Sequence, residues 1–269
     1  MSASTHPRLH SAVRLTPTVA SIAVAVCAAL VLVGWLANIE FFKSLLHPAR
    51  TAMNPATAVC FLVCAAALWL LRREGDARRR AIARTLAAVV VLVGLSRSVG
   101  YFAGWTHGPD QLLFRQRLAG NVMAPNTAVT FVLVGVAMAL FDDRLRGRAH
   151  PAQAFILAAT TIALLALTGY IYRIIPLYGV AGYIPMALNT ALGFLALSIG
   201  LICARPSRRP MTMLLDDSVG GVVARRLLPA AFLVPLALGW LRIIAENRGW
   251  VSSEFGFTLL ILSIIVVFN

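Results

Sequence analysis

Charge is what this sequence has least of. Asp, Glu, Lys and Arg make up 13% of its 269 residues, against 59% hydrophobic residues and a mean hydropathy of +0.82. A soluble domain carries roughly 25% charged residues, so too little polar material is present to cover a water-facing surface. Lysine is reduced to Lys43, outside the apolar runs, which leaves no buried amine for a Schiff-base pigment such as retinal. The four cysteines, Cys27, Cys60, Cys64 and Cys203, all sit inside apolar runs, so a disulfide framework is not expected. Catalytic signatures are missing as well: there is no H-E-x-x-H, G-x-S-x-G, P-loop or histidine-rich cluster. No catalytic site is expected in this chain.

What is present is a series of long apolar runs, at 17–37, 54–71, 82–103, 124–141, 152–172, 185–204, 227–244 and 255–269. A bilayer core of about 30 Å takes about 20 helical residues. Spans without water must satisfy their own backbone, which favours helices. The runs are continuous, whereas barrel strands would alternate over about 10 residues. The expected fold is therefore an all-α, polytopic membrane bundle of about eight spans. Residues 1–16 read as a cytoplasmic tail and 17–269 as the membrane domain. The first run is longer than a signal-peptide core and reads as an uncleaved helix.

The segments between runs alternate in charge. Arg8 and Arg14, the run Arg72 to Arg84, Arg144 to Arg148, and Arg205 to Arg226 hold sixteen of the 24 basic residues. By the positive-inside rule both termini are expected in the cytoplasm. The net charge of +14 has this origin, and no nucleic-acid partner is expected because the basic stretches lack interleaved aromatics. An interfacial amphipathic helix is predicted over Met211–Val223. The last run ends at Asn269 without a basic stop, which suggests that an effector following it is absent here.

The most informative pattern is a repeat. Three runs begin alike: Met53-Asn-Pro-Ala-Thr57-Ala-Val-Cys-Phe61, Met123-Ala-Pro-Asn-Thr127-Ala-Val-Thr-Phe131 and Met186-Ala-Leu-Asn-Thr190-Ala-Leu-Gly-Phe194. A fourth echo is Glu254-Phe-Gly-Phe-Thr258. The spacing predicts four helical hairpins. Pro55 and Pro125 suit first helical turns, and Asn54 suits a cap. Read structurally, the Thr-Ala pairs permit close packing. Read functionally, they form a polar ring at the outer mouth, with ligand-binding candidates Arg97, Asn126, Thr127, Asn189, Thr190, Tyr183, Arg242 and Glu254. Charges at membrane depth are costly, so Arg97, Arg242 and Glu254 are expected to form one network. No cofactor is expected. The readings that stay open are copper, on the methionines with His47 and His107, and heme. All five histidines, His6, His10, His47, His107 and His150, fall in terminal or loop segments, which disfavours iron ligation. Asp142-Asp143 and Asp216-Asp217 are acidic pairs that suit either caps or Mg²⁺.

Asp110-Gln-Leu-Leu-Phe114 with Met123 to Ala128 resembles the N-terminal membrane region of bacterial sensor histidine kinases. So do Tyr183 to Leu192, Asp217-Ser-Val-Gly-Gly221 with Ala224 to Pro229, Gly239-Trp-Leu-Arg242 and Glu254-Phe-Gly256. The resemblance is collinear over roughly residues 50–260. It implies a sensory input domain for signal transduction, followed in that group by PAS, kinase or diguanylate cyclase modules. Arg97 departs from the group, where an acidic residue stands, and Asn189 departs where histidine stands. Expected partners are the lipid bilayer, a second copy of the chain, and a kinase or cyclase module in cis. The alternative class is a small-molecule transporter or channel.

Overall fold

The computed structural model describes residues 7–44, 51–105, 107–143, 150–180, 183–208, 211–215 and 218–249. Among them the regular structure is helical, with no strand. The helices are α1 (Pro7–Ala37), α2 (Glu40–Lys43), α3 (Pro55–Leu71), α4 (Ala77–Phe102), α5 (Pro125–Ala139), α6 (Pro151–Tyr172), α7 (Ile175–Tyr178), α8 (Leu188–Cys203), α9 (Met211–Leu215) and α10 (Val219–Asn247). Single 3-10 turns lie at Pro109–Gln111 and Arg115–Arg117.

Among the described residues three helices are long and apolar enough to cross a membrane: Ser11–Ala37 within α1, α4 and α6. The runs predicted as spans at 54–71, 124–141 and 185–204 are the shorter helices α3, α5 and α8, of 17, 15 and 16 residues. At 1.5 Å per residue they reach roughly 22–26 Å. Their start points explain the shortness. Asn54 stays extended and its side chain accepts the Ala56 N–H at 2.9 Å, with Pro55 opening the helix. Pro125 opens α5 in the same way. The run 227–244 lies within α10, and 255–269 lies outside the described residues. α1 begins at Pro7, inside the predicted tail. The helix predicted over Met211–Val223 is split, because the Ser218 hydroxyl accepts the Gly221 N–H and starts α10 afresh.

Each long helix packs on the short helix that follows it: α1 on α3, α4 on α5, α6 on α8. Each short helix also packs on another long one: α3 on α4, α5 on α6, and α8 back on α1. The result is a closed ring with the short helices inside. Buried residues recur at matching offsets from Met53, Met123 and Met186. They are Thr57, Phe61, Cys64, Leu68 and Leu71; Thr127, Phe131, Val134, Met138 and Phe141; Thr190, Phe194, Leu197, Leu201 and Ala204. The alternating steps of four and three keep one face of each helix on a common axis. Phe61, Phe131 and Phe194 meet there, with ring centroids 5.1, 4.8 and 4.7 Å apart.

The long helices carry the same kind of stripe. Ser21, Val24, Ala28 and Val31 are buried in α1; Ala87, Val90, Gly94 and Arg97 in α4; Ile156, Ala159, Ala163 and Ala166 in α6. Their other faces expose large apolar side chains, including Val19, Ile22 and Val26, Val89 and Leu92, and Leu157 and Leu165. A contiguous apolar exterior of this kind is what a hydrocarbon or protein neighbour covers.

Removing one of the three rings should open a cavity on the axis. Phe131→Ala is expected to cost about 3–5 kcal/mol, read as a lower thermal midpoint of the purified chain in detergent. A shift no larger than that of the outward-facing Leu92→Ala would show that the axis is not the packing centre.

Candidate functional site

Three corners join the long helices to the short ones, and they share one construction. Gly34-Trp35, Gly100-Tyr101 and Gly169-Tyr170 lie in the last turns of α1, α4 and α6. Four residues after each glycine the backbone turns left-handed, at Asn38 (φ 58°), Gly104 (φ 68°) and Arg173 (φ 57°). The N–H of the next residue then bonds the glycine carbonyl: Ile39 to Gly34 at 2.8 Å, Trp105 to Gly100 at 2.8 Å, Ile174 to Gly169 at 2.9 Å. This is the Schellman ending of a helix. At two corners, Gly34 and Gly169, glycine is needed for close approach. A Cβ at Gly34 would lie 2.8 Å from Phe42 Cβ, and one at Gly169 would lie 2.8 Å from Leu177 Cβ.

Each corner aromatic donates to the carbonyl of a motif methionine. Trp35 Nε1 bonds Met53 O at 2.8 Å, Tyr170 Oη bonds Met186 O at 2.6 Å, and Tyr101 Oη bonds Met123 O. The methionine N–H groups are tied too: Met53 to Lys43 O at 2.8 Å, Met186 to Tyr178 O at 2.7 Å, and Met123 to the Asp110 carboxylate at 2.8 Å. Asn126 then fastens one pair to the next by donating to Tyr178 O at 2.9 Å, and Asn189 donates to Lys43 O at 3.2 Å. Their side-chain oxygens accept the Thr127 and Thr190 N–H groups. These two asparagines, in the first turns of α5 and α8, thus occupy a free helix N–H and fasten the seams.

The third seam is built differently. Ala56 stands where an asparagine would be, and Asp110 stands where the other loops present a carbonyl. Arg97 occupies the position of Val31 and Ala166 on the buried stripe. It is 4% exposed and Asp110 is 0% exposed, with Arg97 Nε 3.4 Å from Asp110 Oδ2. The guanidinium lies 4.2 Å over the Tyr101 ring, which meets Tyr183 edge-on at 4.7 Å. Among the described residues Arg97 Nε, Arg97 Nη1 and Asp110 Oδ1 have no hydrogen-bond partner. The matching aromatics are served by satisfied groups. Lys43 lies over Trp35 and bonds Asn38 at 2.9 Å and Glu40 at 2.6 Å, while Tyr178 stacks on Tyr170. A buried charge pair with unused donors and acceptor is costly to keep, and it is the only such pair among the described residues.

Thr57, Thr127 and Thr190 converge on the axis beside Asn54 and Pro185, around a depression with space for about one water. Arg97 and Tyr183, joined through Tyr101, and Thr127 and Thr190 therefore share this end of the ring. Arg242 does not join Arg97; it pairs with Glu246 on α10 at 2.7 Å. Glu254 and His47 lie outside the described residues. Met53, Met123 and Met186 are buried in the core, and no group of three or more His, Cys, Asp or Glu is placed to hold a metal among the described residues. Asp110 and the corner aromatics are absent from the residues singled out as ligand-binding by sequence. Their signal is the Gly-aromatic pair, hidden because its distance to the following methionine varies from corner to corner.

The opposite end of the ring carries a second lock. Arg205 bonds both carboxylate oxygens of Asp142 at 3.0 Å and the Leu71 carbonyl at 2.7 Å, tying the ends of α8, α5 and α3. Arg208 adds a bond to Asp142 at 3.0 Å, and Asp143 pairs with Arg84. The acidic pair at 142–143 is thus spent on arginines. Burial alone would raise the Asp142 carboxyl, but the bonds and charge of Arg205 and Arg208 outweigh it and hold it below the usual range.

No protein-family model, curated protein or solved structure matches this chain.

Arg97→Val should leave Asp110 buried and unpaired, at a cost of about 3–5 kcal/mol. Adding Asp110→Asn should restore most of that, because the amide still accepts the Met123 N–H; equal midpoints for the single and double variants would contradict the pairing. At the other end the depressed Asp142 carboxyl contributes stability above the unfolded value of about 3.9. That contribution should vanish as pH falls through the lower folded value, and Asp142→Asn should flatten this acid limb in pH-dependent melts.

Proposed function

We propose that this chain is the membrane-embedded sensory input domain of a bacterial signalling protein, of the sensor histidine kinase type, in the inner membrane. The observation that carries the reading is the combination of a plugged axis with an unsatisfied buried charge pair at one end. Phe61, Phe131 and Phe194 are each at most 1% exposed, and the layers below them are equally closed. A packed axis gives a solute no route, which weighs against the transporter or channel alternative. A polar cluster at the mouth, by contrast, can change partners without anything crossing.

In this reading the methionine end faces outward and the arginine end faces the cytoplasm. The proposal keeps eight spans in four pairs, with both termini inside. The arginine-rich stretches at 72–84 and 205–208 support that orientation. A stimulus at the outer end would favour one arrangement of Arg97, Asp110, Tyr101 and Tyr183 over another, and only differential affinity for two states can shift such an equilibrium. α6 carries the change to α10, to which it is fixed by Tyr172 Oη on the Leu236 carbonyl at 2.9 Å.

The test fuses the chain to a cyclase or kinase module after Asn269 and reads its output in cells. Arg97→Val and Asp110→Asn, singly and together, should change output at least several-fold while membrane insertion, followed by periplasmic reporter fusions at 112–120, is kept. Output identical to wild type in all variants, or solute flux in proteoliposomes, would sink the sensory reading.

A further inference from the structure

The ring has three seams where a short helix meets the next long one, and two of them join helices consecutive in the chain. α3 runs into α4 through Arg72–Asp76, and α5 runs into α6 through residues 140–150. The remaining seam, between α8 and α1, has no loop connecting it directly. α8 continues instead into α9, whose Met211 packs on Val13 of α1 and Cys203 of α8. Under this short helix lies a cavity of about 930 Å³.

Its lining has two characters. Pro17, Cys203 and Leu215 give it an apolar wall, while Arg14, Arg72, Ser207 and Thr212 supply donors. Arg14 is exposed and has no ion-pair partner among the described residues. Arg72 is aimed by three contacts: it lies 3.4 Å over the Trp69 ring, its Nε bonds Trp69 O at 3.2 Å, and its Nη1 bonds Thr18 Oγ1 at 2.9 Å. Its Nη2 is left over. Glu74 also lines the cavity, but it is 3.6 Å from Arg205 and drawn to that guanidinium. The other nearby carboxylate, Asp142, is taken by Arg205 and Arg208. The cavity is therefore left with positive charge, hydroxyls and an apolar side at the end of the helices.

The geometry points to a binding site for a phosphate group carried on an apolar body, with the headgroup of an anionic phospholipid as its source. The phosphate sits between Arg14 and Arg72, where guanidinium forks match its oxygens. Ser207 and Thr212 donate to its free edges, and the glycerol and upper acyl chains lie along Pro17 and Leu215. Basic pockets between helices at the cytoplasmic side are suited to such headgroups. The lipid source rests on the membrane reading above; the cavity and its charge do not.

The test purifies the full chain in neutral detergent and adds phosphatidylglycerol, phosphatidylcholine or soluble glycerol phosphate, counting retained molecules by native mass spectrometry. Wild type should retain phosphatidylglycerol at least ten-fold better than phosphatidylcholine. Arg14→Gln with Arg72→Gln should abolish the preference, and Arg14→Lys with Arg72→Lys should keep most of it, which separates lost charge from lost folding. Arg73→Gln with Arg78→Gln removes the same charge at the same end, outside the cavity lining, and should change nothing. An equal loss in that control would reduce the effect to diffuse charge and overturn the site. Retention of glycerol phosphate with the same arginine dependence would overturn the lipid source. Recovery of the chain from the soluble fraction of lysed cells would defeat the membrane reading instead, and is scored separately.

Discussion

The contact on which the rest depends is the meeting of Phe61, Phe131 and Phe194 on one axis. Three aromatic rings at centroid distances under about 5.5 Å interlock, two pairs edge to face and the Phe61–Phe194 pair tilted. They therefore fix the register of α3, α5 and α8 against each other. With that register set, the threonine layer falls above the rings, and the small Ala58, Ala128 and Ala191 fall at positions with no exposed surface. The long helices then pack around a core whose spacing is already decided. Their alanine- and glycine-rich stripes suit this close approach, since small residues let helix backbones come near each other.

A near-symmetric object makes its exceptions easy to recognise. Two seams are fastened by an asparagine amide on a loop carbonyl, a neutral bond that asks nothing of its surroundings. The seam at Ala56 keeps amide bonds from Asn121 to the Ala52 carbonyl and from Asn54 to the Asn121 carbonyl, but exchanges the asparagine at this helix position for a carboxylate and a guanidinium on buried positions. In energetic terms that exchange is unfavourable, because desolvating two ions costs several kcal/mol that imperfect geometry does not return. A chain that keeps such a pair at only one of three equivalent places, where Val31 and Ala166 show that an apolar residue fits, concentrates its marginal stability there.

Much of the helical content was legible in the sequence, because apolar runs and Asn-Pro or Ala-Pro starts act locally. The three-fold motif was legible too, since its letters are buried core positions at constant offsets. Three features were hidden. The Gly-aromatic corners stand at variable distances from Met53, Met123 and Met186, because loops of different length can close the same turn. Arg205 and Asp142 are 63 residues apart, and nothing local marks them as partners. Arg97 was recognised as a costly charge, but its partner is the nearby Asp110 and not Arg242, whose own helix supplies Glu246 one turn away. Span length was overestimated for α3, α5 and α8, because hydropathy does not record that a proline start and a helix-ending turn trim each run.

The seam between α8 and α1 differs from the other two in how it must form. The pairings of α3 with α4 and α5 with α6 join neighbours in the chain, so their closure entropy is small. α1 and α8 come from opposite ends of the ring's sequence, and their contact waits until everything between them is in place. The same order runs backwards on opening. Two seams join helices consecutive in the chain, whereas α1 and α8 have no direct connection between them. The ring thus has a built-in first step of disassembly, set by connectivity and not by the strength of any single contact.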